Sequence, residues 1–323
     1  MALLGLAFTM AEILLSLTII GVVAAITLPS LTGNINERTW NTQRKALYAR
    51  FSQAIALMPS LNGYGTLSEE TSSGAGDAVD TAAETFITSG LSKVLKINNV
   101  CDSEHIEDCG LASNIVTLNG SQIDTPETME ELNPIMVNLS ADSGYSQINT
   151  KAAAFETANG ESILTFYNPN CVSDLSEMTK DAYYQIQPKI CANFIFDLNG
   201  NKGPNTVGKD IGFMTVLYSS DASVVAPDVP VPKVSTSASF YDALRLCKEQ
   251  DTNYRIPTLD ELSSMFINYK LMTGLVGSAV VDIHWSATPA QFSTDKAWVQ
   301  SFAYGRRIPH LKTQTYSVRC VKR

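Results

Sequence analysis

A single acidic side chain interrupts the apolar segment near the start of the chain. Residues 8–31 form a run of 24 residues in which Glu12 is the only ionisable side chain. A carboxylate inside hydrocarbon is costly unless a partner neutralises its charge. A cut between Ala7 and Phe8 would create an α-ammonium group within a helical turn of Glu12, able to pair with Glu12 of a neighbouring subunit. We therefore expect an ion pair that sets the register between subunits.

Oxygen-bearing side chains alternate along a loop that follows a predicted strand. Asp197, Asn199 and Asn201 occupy every second position, and Asp210 lies a short distance further on. Alternating Asp and Asn oxygens in a tight loop are ligands that Ca²⁺ accepts. The alternative is an Asn-Gly and Gly-Pro turn whose side chains only hold the backbone. Apart from this Ca²⁺, the sequence predicts no cofactor.

Four potential cations lie close together near the C-terminus. Arg306, Arg307, His310 and Lys312 surround a turn that contains Pro309. Such a cluster suits the sulfate or carboxylate groups of a glycan, or the phosphates of DNA. The alternative is a solvated loop without a ligand.

Two tryptophans of the same region are candidates for platforms that stack on sugar rings. They are Trp285 and Trp298. Burial in the core is the alternative for both, because tryptophan carries a large apolar area.

The six cysteines all lie beyond residue 100, and their even number in an exported chain predicts disulfide bonds. Cys101 and Cys109 bracket a short acidic loop, so we expect them to pair. Cys171 and Cys191 bracket a span that suits a hairpin or short excursion, and we expect a second bond there.

The sequence contains no recognisable catalytic constellation. His105, His284 and His310 are scattered, without the spacing of metal ligands. There is no G-x-S-x-G nucleophile elbow and no glycine-rich phosphate loop after a strand. We therefore expect a protein that is not an enzyme.

Composition excludes several classes of protein. The chain is 45% hydrophobic and 17% charged, which rules out wholesale disorder. Its length of 323 residues favours two domains, or one domain with a long appendage. The formal net charge of −9 indicates that the chain as a whole is not a nucleic-acid binder. Residues 59–232 carry 23 acidic and 7 basic side chains, whereas residues 234–323 carry 7 acidic and 11 basic ones. The two parts therefore face different partners.

The apolar run of residues 8–31 is long enough to span a bilayer as a helix. A cleaved secretory signal is the alternative, although the apolar region of such a signal is only about 7–15 residues long. Pro29 removes one backbone hydrogen bond and kinks the helix, or, in the alternative, simply ends it.

A second helical pattern follows the apolar run. Leu47, Phe51, Ile55 and Met58 recur every three or four residues, which predicts an amphipathic helix whose apolar face joins a core. A helix over residues 8–58 would be about 75 Å long.

Three later runs predict strands, at residues 162–167, 191–196 and 213–218. We expect these strands to form an antiparallel sheet packed on the helix. The proline-rich stretch 226–233 predicts an extended linker and a domain boundary.

Local signals beyond the linker predict a second domain. Residues 239–247 predict a helix, and Thr258 with Glu261 has the spacing of a helix capping box. We expect Arg255 and Glu261 to be a scaffold pair rather than a site.

Residues 7–17, AFTMAEILLSL, resemble the processing site of type IV prepilins and type II secretion pseudopilins. In that family a membrane peptidase removes a short leader before a Phe, N-methylates the new terminus and leaves a Glu four residues further on. The resemblance implies that residues 1–7 are a leader and that Phe8 and Glu12 direct assembly. It also implies a pilin helix over residues 8–58, with Pro29 at a bend, and a globular head over residues 59–225.

The last part of the chain, residues 234–323, resembles a second family. Its motifs are the helix with Cys247, R-x-P-T-x-x-E-L at 255–262, W-S-x-T at 285–288 and V-R-C-V at 318–321. Their order is that of the Lcl C-terminal-type domain, which is named for a bacterial collagen-like adhesin and is similar in fold to C-type lectins. The resemblance implies a disulfide between Cys247 and Cys320.

The expected fold is α+β: a long N-terminal pilin helix packed on an antiparallel sheet, followed by a small C-type-lectin-like α+β domain. The expected function is that of a minor, tip or decorated major subunit of a type IV pilus-like filament in a bacterium. We expect insertion in the inner membrane before assembly and exposure on the extracellular pilus afterwards. Expected partners are other pilin copies, the prepilin peptidase and an anionic glycan or DNA. The alternatives are a monomeric membrane-anchored lectin-like receptor and a type II secretion pseudopilin.

Overall fold

Helices and mainly antiparallel sheets make up the computed structural model of the chain, so the predicted α+β class is confirmed. The structure describes residues 14, 17–19, 22, 38–58, 81–132, 151–167, 189–218, 223–225, 234–250, 253–268, 271–272, 283–290, 293–302 and 307–322. Internal contacts divide the chain into one unit of residues 1–45 and a second unit of residues 46–323.

The described residues of the N-terminal apolar run are helical, and their side chains are exposed. The large apolar ones, each more than half exposed, are Leu14, Leu17, Ile19 and Val22. The hydroxyl of Thr18 donates a hydrogen bond of 2.7 Å to the carbonyl of Leu14, one helical turn earlier. Within the described residues, no helix has both the length and the apolar character needed to cross a membrane.

The helices are α1 (38–58), α2 (Ala82–Thr85), α3 (Met129–Leu132), α4 (Phe240–Gln250) and α5 (Leu259–Ile267). A π-helical stretch (Phe86–Gly90) and a 3₁₀ turn (Leu91–Lys93) continue α2, and further 3₁₀ turns span Ile106–Cys109 and Gly200–Lys202. The first eight strands are β1 (Ile97–Cys101), β2 (Asn114–Val116), β3 (Gln122–Asp124), β4 (Ala153–Thr157), β5 (Ser162–Tyr167), β6 (Lys189–Asp197), β7 (Ile211–Tyr218) and β8 (Ser223–Val225). The others are β9 (Val234–Ala238), β10 (Tyr254–Arg255), β11 (Ile283–Pro289), β12 (Lys296–Ser301), β13 (Arg307–Leu311), β14 (Tyr316–Val318) and β15 (Val321–Lys322).

The apolar stripe of α1 is buried, as the sequence predicts. Leu47, Phe51, Ile55 and Met58 are at most 5% exposed, whereas Leu57 on another face of the helix is 52% exposed. Residues three or four apart lie on one face of an α-helix, so the spacing alone places these four side chains in a core.

The larger sheet has six strands in the order β1-β4-β5-β6-β7-β8, and all neighbouring pairs are antiparallel. The three strands predicted from the sequence are β5, β6 and β7, so both their existence and their pairing are confirmed. Side chains alternate between the two faces of each strand. Every residue of β5 is buried, which requires both faces of the sheet to be covered.

Residues 46–58 of helix α1 cover one face of this sheet. The ring of Phe51 packs on Phe155 of β4 and edge-on against Phe194 of β6, with centroid distances of 6.3 and 5.2 Å. The Arg50 guanidinium, one residue earlier, pairs with the Glu161 carboxylate beside β5. The predicted packing of the helix on the sheet is thereby confirmed for residues 46–58.

The opposite face of the sheet packs against α5, which belongs to the C-terminal part of the chain. One cluster of buried residues joins the two parts. From the sheet it includes Ala154, Leu164, Phe166, Ile195, Ile211 and Phe213, and from beyond the linker Leu262, Met265, Phe266, Ile267, Phe302 and Val321. The linker itself, residues 226–233, lies outside the described residues. The segments on its two sides therefore share a core.

A buried pair of amides joins α5 to the sheet. Asn193 on β6 donates to the side-chain oxygen of Asn268 at 3.0 Å, and Asn268 donates back at 3.3 Å. Thr215 on β7 adds a 2.8 Å bond to Asn193, and Asn268 also donates to the Ser264 carbonyl at 2.8 Å. The side chains of Asn193, Asn268 and Thr215 are fully buried.

The smaller sheet has the order β13-β12-β11-β14-β9, with β11 and β14 parallel and the other pairs antiparallel. Helix α4 packs on it through Phe240, Ala243 and Cys247, which join Trp285 and Val299 in one buried cluster. A two-stranded ladder of β10 and β15 lies alongside. These elements form an α+β arrangement over the segment whose sequence predicts a second domain.

Candidate functional site

The residues predicted to direct processing and assembly are Ala7, Phe8, Glu12 and Pro29. All four lie outside the described residues. Their predicted roles therefore rest on the sequence.

Two of the three predicted disulfides are confirmed. Cys101 and Cys109 are bonded, with a Cα–Cα distance of 6.0 Å, and Cys247 is bonded to Cys320 with a Cα–Cα distance of 5.4 Å. The second bond ties α4 to the segment between β14 and β15 and closes a long loop, which stabilises the domain by limiting its unfolded state. The remaining pair is outside what the structure describes, since Cys171 and the side chain of Cys191 fall there.

Trp285 is a core residue, which corrects its candidacy as a sugar platform. Its side chain is fully buried, and its indole N–H donates a 2.8 Å hydrogen bond to the Ala238 carbonyl. Phe240 and Tyr316 pack edge-on against its ring, at 5.5 and 5.1 Å. Because the indole ring is fully buried between these side chains, it has no exposed face on which a sugar could stack. Trp298 on β12 is only partly buried.

The prediction that Arg307 belongs to a surface cluster of cations is wrong. Arg307 is 5% exposed, and its guanidinium donates to Asp260 at 3.0 Å and to the Ser263 hydroxyl at 2.6 Å. These contacts hold β13 against α5, so Arg307 is part of the scaffold. Arg306 lies outside the described residues. The sequence does not reveal this burial, because Asp260 and Ser263 are more than forty residues away along the chain.

His310 and Lys312 remain at the surface, but each has partners. His310 Nδ1 lies 3.0 Å from the Tyr316 hydroxyl, and burial raises the pKa of Tyr316. Lys312 donates to the Thr294 carbonyl at 2.6 Å, and its ammonium lies 5.8 Å from the ring centre of Tyr241. Tyr241 is itself 64% exposed. Of the predicted ligand residues, Lys312 is thus a half-buried cation beside an exposed aromatic ring, that of Tyr241, which is not among the candidates predicted from the sequence.

Arg255 and Glu261 form the scaffold pair that the sequence predicts. Two guanidinium nitrogens of Arg255 donate to the two carboxylate oxygens of Glu261, each at 2.7 Å. Glu261 also accepts from the Thr258 backbone N–H, and the Thr258 hydroxyl accepts from the Glu261 N–H, which completes the predicted capping box of α5. The bidentate pair and the cap together fix the start of the helix that packs on the larger sheet.

The loop between β6 and β7 is organised around a buried carboxylate. Asp210 is fully buried, and its two oxygens accept hydrogen bonds of 2.9 and 2.8 Å from the backbone N–H groups of Asn205 and Thr206. Its own carbonyl accepts from the Leu198 N–H at 3.1 Å. These bonds fold the segment 199–209 back toward the ends of the two strands.

A second buried carboxylate, Asp197, lies at the start of the same loop. One oxygen accepts a 3.0 Å bond from the Asn199 N–H, and the other has no hydrogen-bond partner. Burial raises the pKa of Asp197 to about 7, with a smaller contribution from the negative charge of Asp210, while the backbone bonds of Asn199 and Gly200 oppose the rise. The structure therefore brings together Asp197, Asn199 and Asp210 of the predicted Ca²⁺ set.

Asn201, the fourth member of that set, is exposed, and Asn205 has a buried side-chain oxygen instead. Simple alternation along the chain selects Asn201. The backbone does not follow that alternation, because Gly200, Gly203 and Asn205 have left-handed φ angles of 66°, 72° and 49°. Asparagine is one of the few residues that adopts this conformation readily, so the Gly-Pro-Asn sequence was the available signal.

Each of the three histidines lies beside a side-chain partner. His284 is buried and accepts from Arg319 Nε at 3.2 Å. His105 pairs with Asp102 at 2.8 Å on the surface, and this hydrogen bond raises the pKa of His105. Throughout the described ranges, no three His, Cys, Asp or Glu side chains form a group that could hold a metal ion.

Comparison of the chain with models of known protein families finds no match, and comparison with curated proteins finds no similar sequence. The function of the chain is therefore inferred from its own residues and contacts.

Proposed function

We propose that this chain is a subunit of a type IV pilus-like filament. Residues 1–7 are removed as a leader, and residues 8–58 form a long helix whose first half lies in the membrane before assembly and in the filament core afterwards. The larger sheet and its helices form the head on the filament surface. The protein acts by polymerising rather than by catalysis.

The observation that carries this proposal is that a single carboxylate lies within an otherwise apolar run. Glu12 lies four residues after Phe8, in a stretch of 24 residues that has no other ionisable group. Its charge is compensated when the Phe8 ammonium of an adjacent subunit lies beside it. Apolar packing of the remaining side chains then drives association, while the ion pair selects the axial register.

The arrangement of α1 and the larger sheet supports the proposal. A pilin head needs a helix that packs on an antiparallel sheet through one apolar stripe and leaves its remaining faces available. Residues 46–58 pack in this way through Leu47, Phe51 and Ile55, while Leu57 stays exposed. This packing fits a helix that belongs half to a head and half to a filament.

The C-terminal part is proposed to face outward as an adhesive module. Its basic excess separates it from the acidic head, and the half-buried Lys312 beside Tyr241 supplies a cation and an aromatic surface. These groups suit an anionic glycan or the phosphates of DNA. The filament would then carry the module to the cell exterior, where its disulfides persist.

Replacement of Glu12 tests the proposal. Glu12→Gln keeps the size of the side chain but removes the charge that the Phe8 ammonium requires. We expect the variant to be processed normally but to yield at least about tenfold fewer fibres, the effect of losing ~1.4 kcal/mol per contact. Fibres sheared from cells and quantified by immunoblotting against whole-cell protein give the measurement.

Ser16→Ala is the matched control, because it removes a polar group one helical turn further along the same run. That control should assemble as the unaltered chain does. Normal fibre yield from Glu12→Gln would contradict the ion-pair account. Processed chain that never appears in surface fibres would favour a secretion pseudopilin, and unprocessed chain would favour a membrane-anchored receptor.

A further inference from the structure

Three buried oxygens in the loop between β6 and β7 have no hydrogen-bond partner. They are Oδ2 of Asp197, Oδ1 of Asn199 and Oδ1 of Asn205. A buried polar atom without a partner is costly, and most buried oxygens in folded proteins avoid that cost. Three such atoms in nine residues indicate a common partner that is not part of the chain.

The hydrogen bonds around the loop assign these oxygens as acceptors. The side-chain amide nitrogen of Asn199 donates to the Gly203 carbonyl at 2.8 Å. The other atom of that amide group, Oδ1, is therefore left as an acceptor without a partner. Asp197 uses one oxygen for the Asn199 N–H at 3.0 Å and keeps the other without a partner. Asn205 is anchored through its backbone N–H on Asp210, so its side chain is not needed to hold the turn.

The charge of the loop favours a cation. Asp197 and Asp210 are two fully buried carboxylates of the same loop. The basic residues of the loop, Lys202 and Lys209, are exposed at its surface. A divalent cation bound in this loop would neutralise the negative charges of both carboxylates.

We propose that the loop of residues 197–210 binds one Ca²⁺ through the side-chain oxygens of Asp197, Asn199 and Asn205, with Asp210 holding the loop in shape and contributing its charge. The ligands differ from those that alternation along the sequence selects, because Asn205 replaces Asn201. The ion would fix the connection between β6 and β7, the two central strands of the larger sheet. This inference stands independently of the proposed filament function.

The ligand chemistry favours Ca²⁺ over other common ions. Carboxylate and amide oxygens on an irregular loop suit Ca²⁺, which accepts six to eight oxygens in flexible geometry and takes further ligands from backbone carbonyls and water. Mg²⁺ requires near-ideal octahedral geometry and keeps several waters, so it fits a crowded protein loop poorly. No cysteine lies between residues 197 and 210, so softer metals lack their preferred ligand.

Calorimetric titration and thermal unfolding of the full chain in detergent test the site. CaCl₂ should bind with a stoichiometry of one, and Ca²⁺ at about one hundred times its dissociation constant should raise the ratio of folded to unfolded protein about a hundredfold. MgCl₂ should bind at least about tenfold more weakly. A chelator such as EGTA should reverse the rise in the unfolding midpoint.

Two variants locate the ion. Asn205→Gly removes one ligand while keeping a residue that tolerates the φ angle of 49°. Asp197→Asn keeps the shape of the side chain and removes one charge. Both should weaken Ca²⁺ binding at least about tenfold, the effect of losing one ligand worth ~1.4 kcal/mol. Asn201→Ser is the matched control, and its binding should equal that of the unaltered chain.

Several results would overturn the inference. They are the absence of Ca²⁺ binding at millimolar concentration, equal binding of Mg²⁺, and unchanged binding in Asn205→Gly. If Asp197→Asn fails to fold, Asn205→Gly still decides the question. Failure of the Ca²⁺ inference would not affect the proposed fibre assembly through Glu12, because the two experiments test different parts of the chain.

Discussion

Glu161 shows how a single carboxylate is retained next to an apolar core. Its side chain is 8% exposed, and it pairs with Arg50 of α1, whose side chain is 34% exposed. The Thr157 hydroxyl also donates to it. The pair joins α1 to the turn between β4 and β5, at the edge of the aromatic contacts made by Phe51.

Removal of the cationic partner should therefore weaken the fold. Arg50→Met leaves the Glu161 carboxylate with fewer partners in a nearly buried position. We expect the free energy of unfolding to fall by about 1–3 kcal/mol, less than for a fully buried pair because Arg50 is partly solvated. Urea denaturation of the full chain in detergent, followed by circular dichroism, measures the change.

Lys45→Met provides the comparison, since it removes the same charge from an exposed position on α1. Its effect should stay within about 0.5 kcal/mol. Equal effects of the two substitutions would show that the loss comes from net charge rather than from the contact with Glu161.

At the scale of elements, α5 is the most informative helix. Its capping box is a local feature that can be read from Thr258 and Glu261 alone, and the structure contains it. Its partner surface is not local. Leu262 and Phe266 pack against a sheet whose strands lie some fifty to one hundred residues earlier, so no window of sequence around α5 identifies that surface.

The amide pair at the end of α5 is a sensitive test of this docking. Asn268→Ala leaves the Asn193 amide on β6 without its reciprocal partner, in a position from which water is excluded. We expect a loss of about 1–3 kcal/mol in the free energy of unfolding. Asn193→Ala should cost a similar amount.

The double variant serves as the control for both. Once one amide is gone, removal of the other should cost less, so the two effects should sum to at least about 0.5 kcal/mol more than the effect of the double variant. Additive effects, measured by the same urea denaturation, would show that the two amides do not depend on each other.

The helices and strands that were predicted correctly have their signal in neighbouring residues. The stripe of Leu47, Phe51, Ile55 and Met58 requires only helical periodicity, and the apolar runs of β5, β6 and β7 require only strand length and composition. The Cys247–Cys320 bond was implied only by a family resemblance. No local pattern could have predicted it, because the two residues are 73 positions apart.

The features that the sequence did not predict depend on distant partners or on backbone conformation. From the sequence, Arg307 is expected to be a surface cation. In the fold, its guanidinium donates to Asp260 and Ser263, which lie more than forty residues away along the chain. The sequence alone identifies Asn205 as a turn residue, and only the fold shows that its side-chain oxygen is buried. In both cases the three-dimensional neighbours, rather than the residue type, decide the role.

At the scale of the whole molecule, the head and the C-terminal part share a core. The proline-rich stretch 226–233 suggests two separate bodies, but residues 46–323 form one unit by internal contacts. Residues 46–58 of α1 lie on one face of the larger sheet and α5 lies on the other, so the C-terminal part is held in a fixed orientation on that sheet.

Assembly of the chain as proposed depends on one event, the cleavage before Phe8. Mass spectrometry of the N-terminal peptide from mature protein in sheared fibres or membranes of the native bacterium tests that event directly. We expect a mature chain that begins at Phe8 with a methylated α-amine. A mature chain that still carries Met1 and the six residues after it would contradict the account, because the ammonium group that neutralises Glu12 would not exist.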